Sequence, residues 1–204
     1  MRVLIACEFS GRVRDAFLEN GHDAISCDLL PTESSGPHYQ GDINDILGGE
    51  WDLMIAHPPC TYLSRAGARW LYPKGILNQE RYEKGLKAKE FFMKLFNANI
   101  PRISIENPTP FKIFELPKPS QVIQPYMFGH PFSKRTLLWL KNLPKLKPTK
   151  IIDKHSPFLP SNTGGKKKGQ KYSFGVVQTS KDASITFHGI ADAMAKQWGN
   201  LSSI

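Results

Sequence analysis

The run Val3-Leu4-Ile5-Ala6-Cys7 is apolar at every position, without the alternation of a strand that has one face in water. Such a strand is buried on both sides, which is the condition found in parallel sheets covered by helices on both faces. Asp23–Cys27 reads as a second strand ending at Asp28, and Trp51–Ala56 as a third, stopping abruptly at His57-Pro58-Pro59-Cys60. Arg102–Ile105 runs into Glu106-Asn107-Pro108, and Thr136–Leu140 is a further strand. Helical spacing lies between them. Val13, Ala16 and Phe17 recur at i, i+3, i+4, with Ser10 the expected N-cap and Gly21 the stop. Gln79–Phe96 carries Tyr82, Leu86, Phe92, Leu95 and Phe96 on one side, weakened by roughly 1 kcal/mol at Gly85. Ile190, Met194 and Trp198 mark a C-terminal helix. Strands alternating with helices predict an α/β fold with a mostly parallel sheet.

At 204 residues the chain is expected to form one domain and to bury a core without staples. Cys7, Cys27 and Cys60 cannot all pair and follow no metal-ligand spacing, so neither a disulfide scaffold nor a metal site is expected. The apolar runs fall far short of the ~20 residues that span a bilayer. No secretory signal is visible, so a soluble, intracellular protein is expected. The net charge of +9 is unevenly placed. Lys141 to Tyr172 holds nine lysines, no arginine and the single acid Asp153, a net of +8. That is the footprint of a polyanion binder, or else a solvated loop.

In open α/β sheets ligands sit outside the carboxyl ends of the strands. The polar residues there are Glu8 to Gly11, Asp28, His57 to Cys60, and Glu106 with Asn107. Gly11 opens a helix and lets backbone N–H groups approach a ligand, but Val13 breaks a GxGxxG pattern and argues against a diphosphate. Asp28, seventeen residues on, suits ribose hydroxyls or a turn of its own. Two prolines present the Cys60 sulfur at a strand terminus, the place for a nucleophile, whereas Cys7 and Cys27 read as core. A partly desolvated Glu106 carboxyl would hold or donate a proton near neutrality.

Taken together, these segments resemble the DNA cytosine-5 methyltransferases, closest to their compact phage and prophage branch. Asp52 to Cys60 resembles the strand leading into that family's Pro-Cys nucleophile motif, and Ile105-Glu106-Asn107-Pro108 its Glu-Asn-Val motif. Phe9-Ser10-Gly11 falls where the family has its cofactor loop, Asp28 where it has a ribose-binding acid, and Gly41-Asp42-Ile43 where it has its adenine-binding Asp. Gly129 to Thr136 resembles the Gly-x-Pro-Gln-x-Arg-x-Arg strand, and Gly189 to Ala195 a helix of the compact branch.

The resemblance implies a Rossmann-like S-adenosylmethionine-dependent methyltransferase sheet with helices on both faces. Residues 1–140 would be the methyltransferase core, 141–175 a basic insertion serving as a minimal DNA-recognition segment, and 176–204 the rest of the core. It implies methyl transfer to C5 of cytosine in DNA through a covalent adduct of Cys60 on C6, with Glu106 on N3 and the 4-amino group. Phe9, Gly11, Asp28, Asp42, Ile43 and Pro58 would hold the cofactor. Asn107, Lys134, Arg135, Lys166, Lys167 and Lys168 would bind the substrate. The implied partner is DNA, with no metal and no membrane, in the cytoplasm of a bacterium or phage-infected host; the choice between monomer and dimer stays open. The chain departs from the family at Thr61 (for Gln), His57 (for Gly), Val13 (for Gly) and Thr136 (for the second Arg). Two alternatives remain at this stage: a related pyrimidine-C5 modifying enzyme on RNA or a nucleotide, and a catalytically silent DNA-binding protein of the same fold.

Overall fold

Along β1 (Arg2–Ala6), Val3 and Ile5 face one way and Leu4 and Ala6 the other, and all four are fully buried. This computed structural model describes residues 1–156 and 185–201. The order after β1 is α1 (Arg12–Glu19), β2 (Asp23–Asp28), β3 (His38–Gln40), β4 (Leu53–Ala56), α2 (Ala68–Leu71), α3 (Gln79–Phe96), β5 (Arg102–Asn107), β6 (Gln121–Ile123), β7 (Thr136–Lys141) and α4 (His188–Trp198). The strands form one sheet in the order β3-β2-β1-β4-β5-β7-β6. β1, β2, β3, β4 and β5 pair in parallel, whereas β7 is antiparallel to both β5 and β6.

Each face of the sheet has its own core. Val13 and Phe17 of α1 and Ile190, Met194 and Trp198 of α4 cover Val3, Ile5, Leu53 and Ile55. Phe92 and Leu95 of α3, with Phe114 and Trp139, cover Leu4, Met54, Ile103 and Ile105. The fold is therefore α/β and Rossmann-like, with helices on both faces. Gly85 has a packing reason, because a Cβ there would run into the ring of Phe114, which stacks on Tyr82 at 5.8 Å.

Three local expectations are corrected. Cys7 is not a strand core residue: it lies just past β1 with a left-handed φ of +58° and is half-buried. Ser10 is not the N-cap of α1, which is Gly11, and accepts only a long 3.4 Å bond from Arg12 N–H. The Glu8 carboxylate supplies the stronger cap, accepting from the backbone N–H of Val13 (2.8 Å) and Arg14 (3.2 Å), while Ser10 Oγ donates to it. Finally, β5 runs on through Glu106 and Asn107, because β7 pairs with both from the far side.

The near half of the lysine-rich stretch lies on the body. Gln121 brackets Leu146 with a 2.7 Å and a 2.8 Å bond, Gln197 does the same for Lys147, and Trp198 Nε1 donates to Pro144 O. Lys166, Lys167 and Lys168 lie outside the described residues.

Candidate active site

Because β1, β2, β4 and β5 are parallel, their carboxyl ends share one edge of the sheet. The edge divides into two halves. One spans β3, β2 and β1, the other β4, β5 and the residues before β7.

On the first half, Asp28 ends β2, and Gly41 N–H bonds to its carbonyl, which brings Asp42 alongside. One oxygen of each carboxylate is used locally, Asp28 on Leu30 N–H and Asp42 on Asn44 N–H, both at 2.9 Å. Burial, with the charges of Asp28, Cys27 and Asp42 nearby, pushes the Cys7 thiol up to about 12. Gly11 holds a left-handed φ of +74° at the start of α1, and the space a Cβ would need is taken by the Arg14 guanidinium. That fully buried arginine ties α1 to β2 through Ser26 Oγ and to the loop after it through Thr32 Oγ1 and the Ser34 carbonyl. Sequence reading missed Arg14, which only the paired glycines Gly11 and Gly36 around it would have signalled. Ile43 is 4% exposed, its side chain packed in the core just after Asp42. Phe9 is half-buried beside Gly11, and its carbonyl accepts from Glu33 N–H.

On the second half, Pro58 is buried and Cys60 half-buried just past β4. Asn107, 2% exposed, donates from Nδ2 to the Pro58 carbonyl over 3.1 Å. Asn107 therefore shapes the turn that presents Cys60. Burial raises the Cys60 thiol pKa, and the positive charge of Lys134 opposes that rise. Glu106 Oε2 lies 3.2 Å from His57 Nδ1 and accepts a 3.4 Å bond from Thr186 Oγ1. Burial alone would raise the Glu106 pKa, yet His57, Lys134 and Thr186 together hold it below the usual range. Burial would likewise lower the His57 pKa, but the bond and charge of Glu106, with Glu8 behind it, hold it above the usual value.

The residues before β7 separate the two candidate cations. Lys134 is half-buried, its charge acting on Cys60, Glu106 and His57, with Nζ 6.0 Å from the Phe187 ring. Arg135 is exposed. The segment entering α4 closes this side: Phe187 packs on His130 at 4.9 Å, His130 Nε2 accepts from Gly189 N–H, and the Thr186 carbonyl accepts from Arg12. Thr186 is the site residue that the sequence did not single out; Glu8 and His57 were placed at the ligand edge by their strand-end positions but given no role.

Among the described residues no group of three or more His, Cys, Asp or Glu is placed to hold a metal ion, and no helix is long and apolar enough to cross a membrane. No protein-family model and no curated protein matches the chain. Among solved structures it is similar to one described as an E. coli prophage DNA modification methyltransferase, with 13% identity and a TM-score of 0.46, covering 74% of this chain and 52% of that one. It is also similar to an Entamoeba histolytica methyltransferase (16% identity, TM-score 0.45, 74% and 57% covered). A third is the S. pombe Dnmt2 methyltransferase (17%, 0.37, 71% and 50%). The chain spans about half the length of each of these structures.

Proposed function

We propose that this chain transfers a methyl group from S-adenosylmethionine to C5 of cytosine in DNA. The observation that carries the reading is that Cys60 and Glu106 lie at the carboxyl ends of the neighbouring parallel strands β4 and β5, where the charge of Lys134 acts on both.

Cytosine C5 is a poor nucleophile, and addition of a thiolate at C6 turns it into an enamine carbon. Cys60 supplies that thiolate, with Lys134 offsetting the penalty of burial. Glu106 meets N3 and the 4-amino group on the opposite side of the ring. The enamine C5 then takes the methyl, and loss of the C5 proton with cleavage of the S–C6 bond restores the free cysteine. The ring face must reach the sulfur, so the base leaves the stack of a duplex.

S-adenosylmethionine, when bound, supplies the electrophilic methyl group. The donor set of the first half suits it: Asp28 and Asp42 each keep one carboxylate oxygen for hydroxyl or amino groups, and Phe9 and Gly11 border the space. Lys134, Arg135 and the lysines from 141 onward, Lys166, Lys167 and Lys168 included, supply cations for phosphates, with lysine suited to charge and not to bidentate base reading.

The test is transfer of radiolabelled methyl groups to duplex DNA, RNA and free nucleotides, followed by mass spectrometry of the nucleosides. The expected product is 5-methylcytosine in DNA. Label confined to RNA or nucleotides would move the reading to a related pyrimidine-C5 modifier, and no label in any arm would favour a silent DNA-binding protein.

A further inference from the structure

The second half of the edge holds an ion pair that Cys60 chemistry does not require. His57 follows β4, Glu106 lies near the end of β5, and their Nδ1 and Oε2 atoms are 3.2 Å apart. Both side chains are 13% exposed. His57 Nε2 is buried and has no hydrogen-bond partner among the described residues, so the ring engages the site through Nδ1 alone. The groups facing the pair are Glu8 past β1, Lys134 before β7 and Thr186 before α4. The Glu8 carboxylate favours the imidazolium, while Lys134 favours the Glu106 carboxylate and acts against the charge on His57, which stays favoured on balance.

We propose that His57 is a positioning residue that stores the proton Glu106 delivers to N3 of the target base. This inference rests on the methyltransferase reading above. In the resting site the proton sits on His57 Nδ1 and bonds to Glu106. As the Cys60 sulfur forms its bond to C6, the C5=C6 electron pair shifts to C4=C5 and the C4=N3 pair moves onto N3. N3 takes a proton from Glu106, which receives the Nδ1 proton of His57, leaving a neutral imidazole and a neutral adduct. As C5 takes the methyl with the C4=C5 pair, the N3 pair re-forms C4=N3; the C5 proton then leaves to solvent, its electron pair re-forms C5=C6 and the sulfur departs as thiolate. N3 then returns its proton through Glu106 to His57. The pair is thus restored at each turnover, and no outside oxidant or reductant is used.

The decisive variant is His57→Asn, whose amide N–H can replace the Nδ1 donor and keep Glu106 in place but cannot lend a proton. The expected result is a fall in kcat of about 100-fold, the scale of lost acid–base assistance, with KM for DNA and the affinity for S-adenosylmethionine within about threefold of wild type. The wild-type pH profile should show a loss of kcat as pH rises through the His57 pKa, which lies above that of a free histidine. That limb should be missing in His57→Asn. Wild-type rates or an unchanged basic limb in His57→Asn would overturn this inference alone. No methyl transfer by the wild-type protein would overturn the functional reading itself. A second measurement needs no turnover: NMR titration of the His57 ring nitrogens in wild type and in Glu106→Gln. The midpoint should fall in the variant, and an unmoved midpoint would overturn the pairing.

Discussion

The side-chain amide of Asn107 donates to the carbonyl of Pro58, so the last residue of β5 sets the backbone two residues before Cys60. The two strand ends that carry the candidate nucleophile and the candidate acid are thereby one mechanical unit. Removing the amide leaves a buried carbonyl unpartnered, which costs about 1–3 kcal/mol. Asn107→Ala should therefore lower stability on that scale in urea titration and also slow reaction of Cys60 with the target base. Full stability and full rate together would show that the contact does not hold the turn.

Lys134 is the cation that the Cys60 thiol feels. A positive charge favours the thiolate, so Lys134→Met should move the midpoint of Cys60 alkylation to higher pH. Cys27, held up at about 11, and Cys7, at about 12, leave Cys60 as the thiol this measurement reads. Arg135→Ala should leave the midpoint alone, since that side chain faces solvent. Equal shifts in the two variants would contradict the assignment of Lys134 as that cation.

Gly85→Ala sets helix propensity against packing. In an open helix interior the change would stabilise by about 1 kcal/mol. Here the new methyl meets Phe114, which is fully buried and stacked on Tyr82. Overpacking costs about 1–3 kcal/mol, so Tm should fall. A rise would mean that Phe114 has room to move.

Asp28→Ala and Asp42→Ala should each weaken binding of S-adenosylmethionine in calorimetry. The half-buried Asp28 should cost about 1–3 kcal/mol, and the exposed Asp42 the lower end of that range. DNA binding without cofactor should be unaffected. Unchanged cofactor affinity in both variants would remove the cofactor from this half of the edge.

What could be read in advance follows from how local each signal is. The apolar runs at Val3 and Leu53 and the spacing through Gln79–Phe96 are written in consecutive residues, and the strands and α3 stand there. β3 and β6 are three residues each, too short for any period to show, and they exist through pairing with β2 and β7. β5 extends through Glu106 and Asn107 because β7 lies beside them, a contact thirty or more residues away in the chain. In the site, Cys60 and Glu106 were visible from their strand-end positions. The roles of Glu8 and Asn107 were not, since Glu8 caps α1 from across the turn in which Cys7 is left-handed, and Asn107 is used from the neighbouring strand. The bond from His57 to Glu106 likewise joins two strands and has no trace in either segment alone.

The central claim is that Cys60 attacks the target base. Duplex DNA containing 5-fluorocytosine should trap the wild-type protein in the presence of S-adenosylmethionine, because after methylation fluorine cannot leave C5 as a proton does. Mass spectrometry of the digested complex should place the adduct on the peptide containing Cys60, and Cys60→Ser should form none while keeping its cofactor affinity within a few-fold. An adduct on another residue, or 5-methylcytosine produced by Cys60→Ser, would contradict the account.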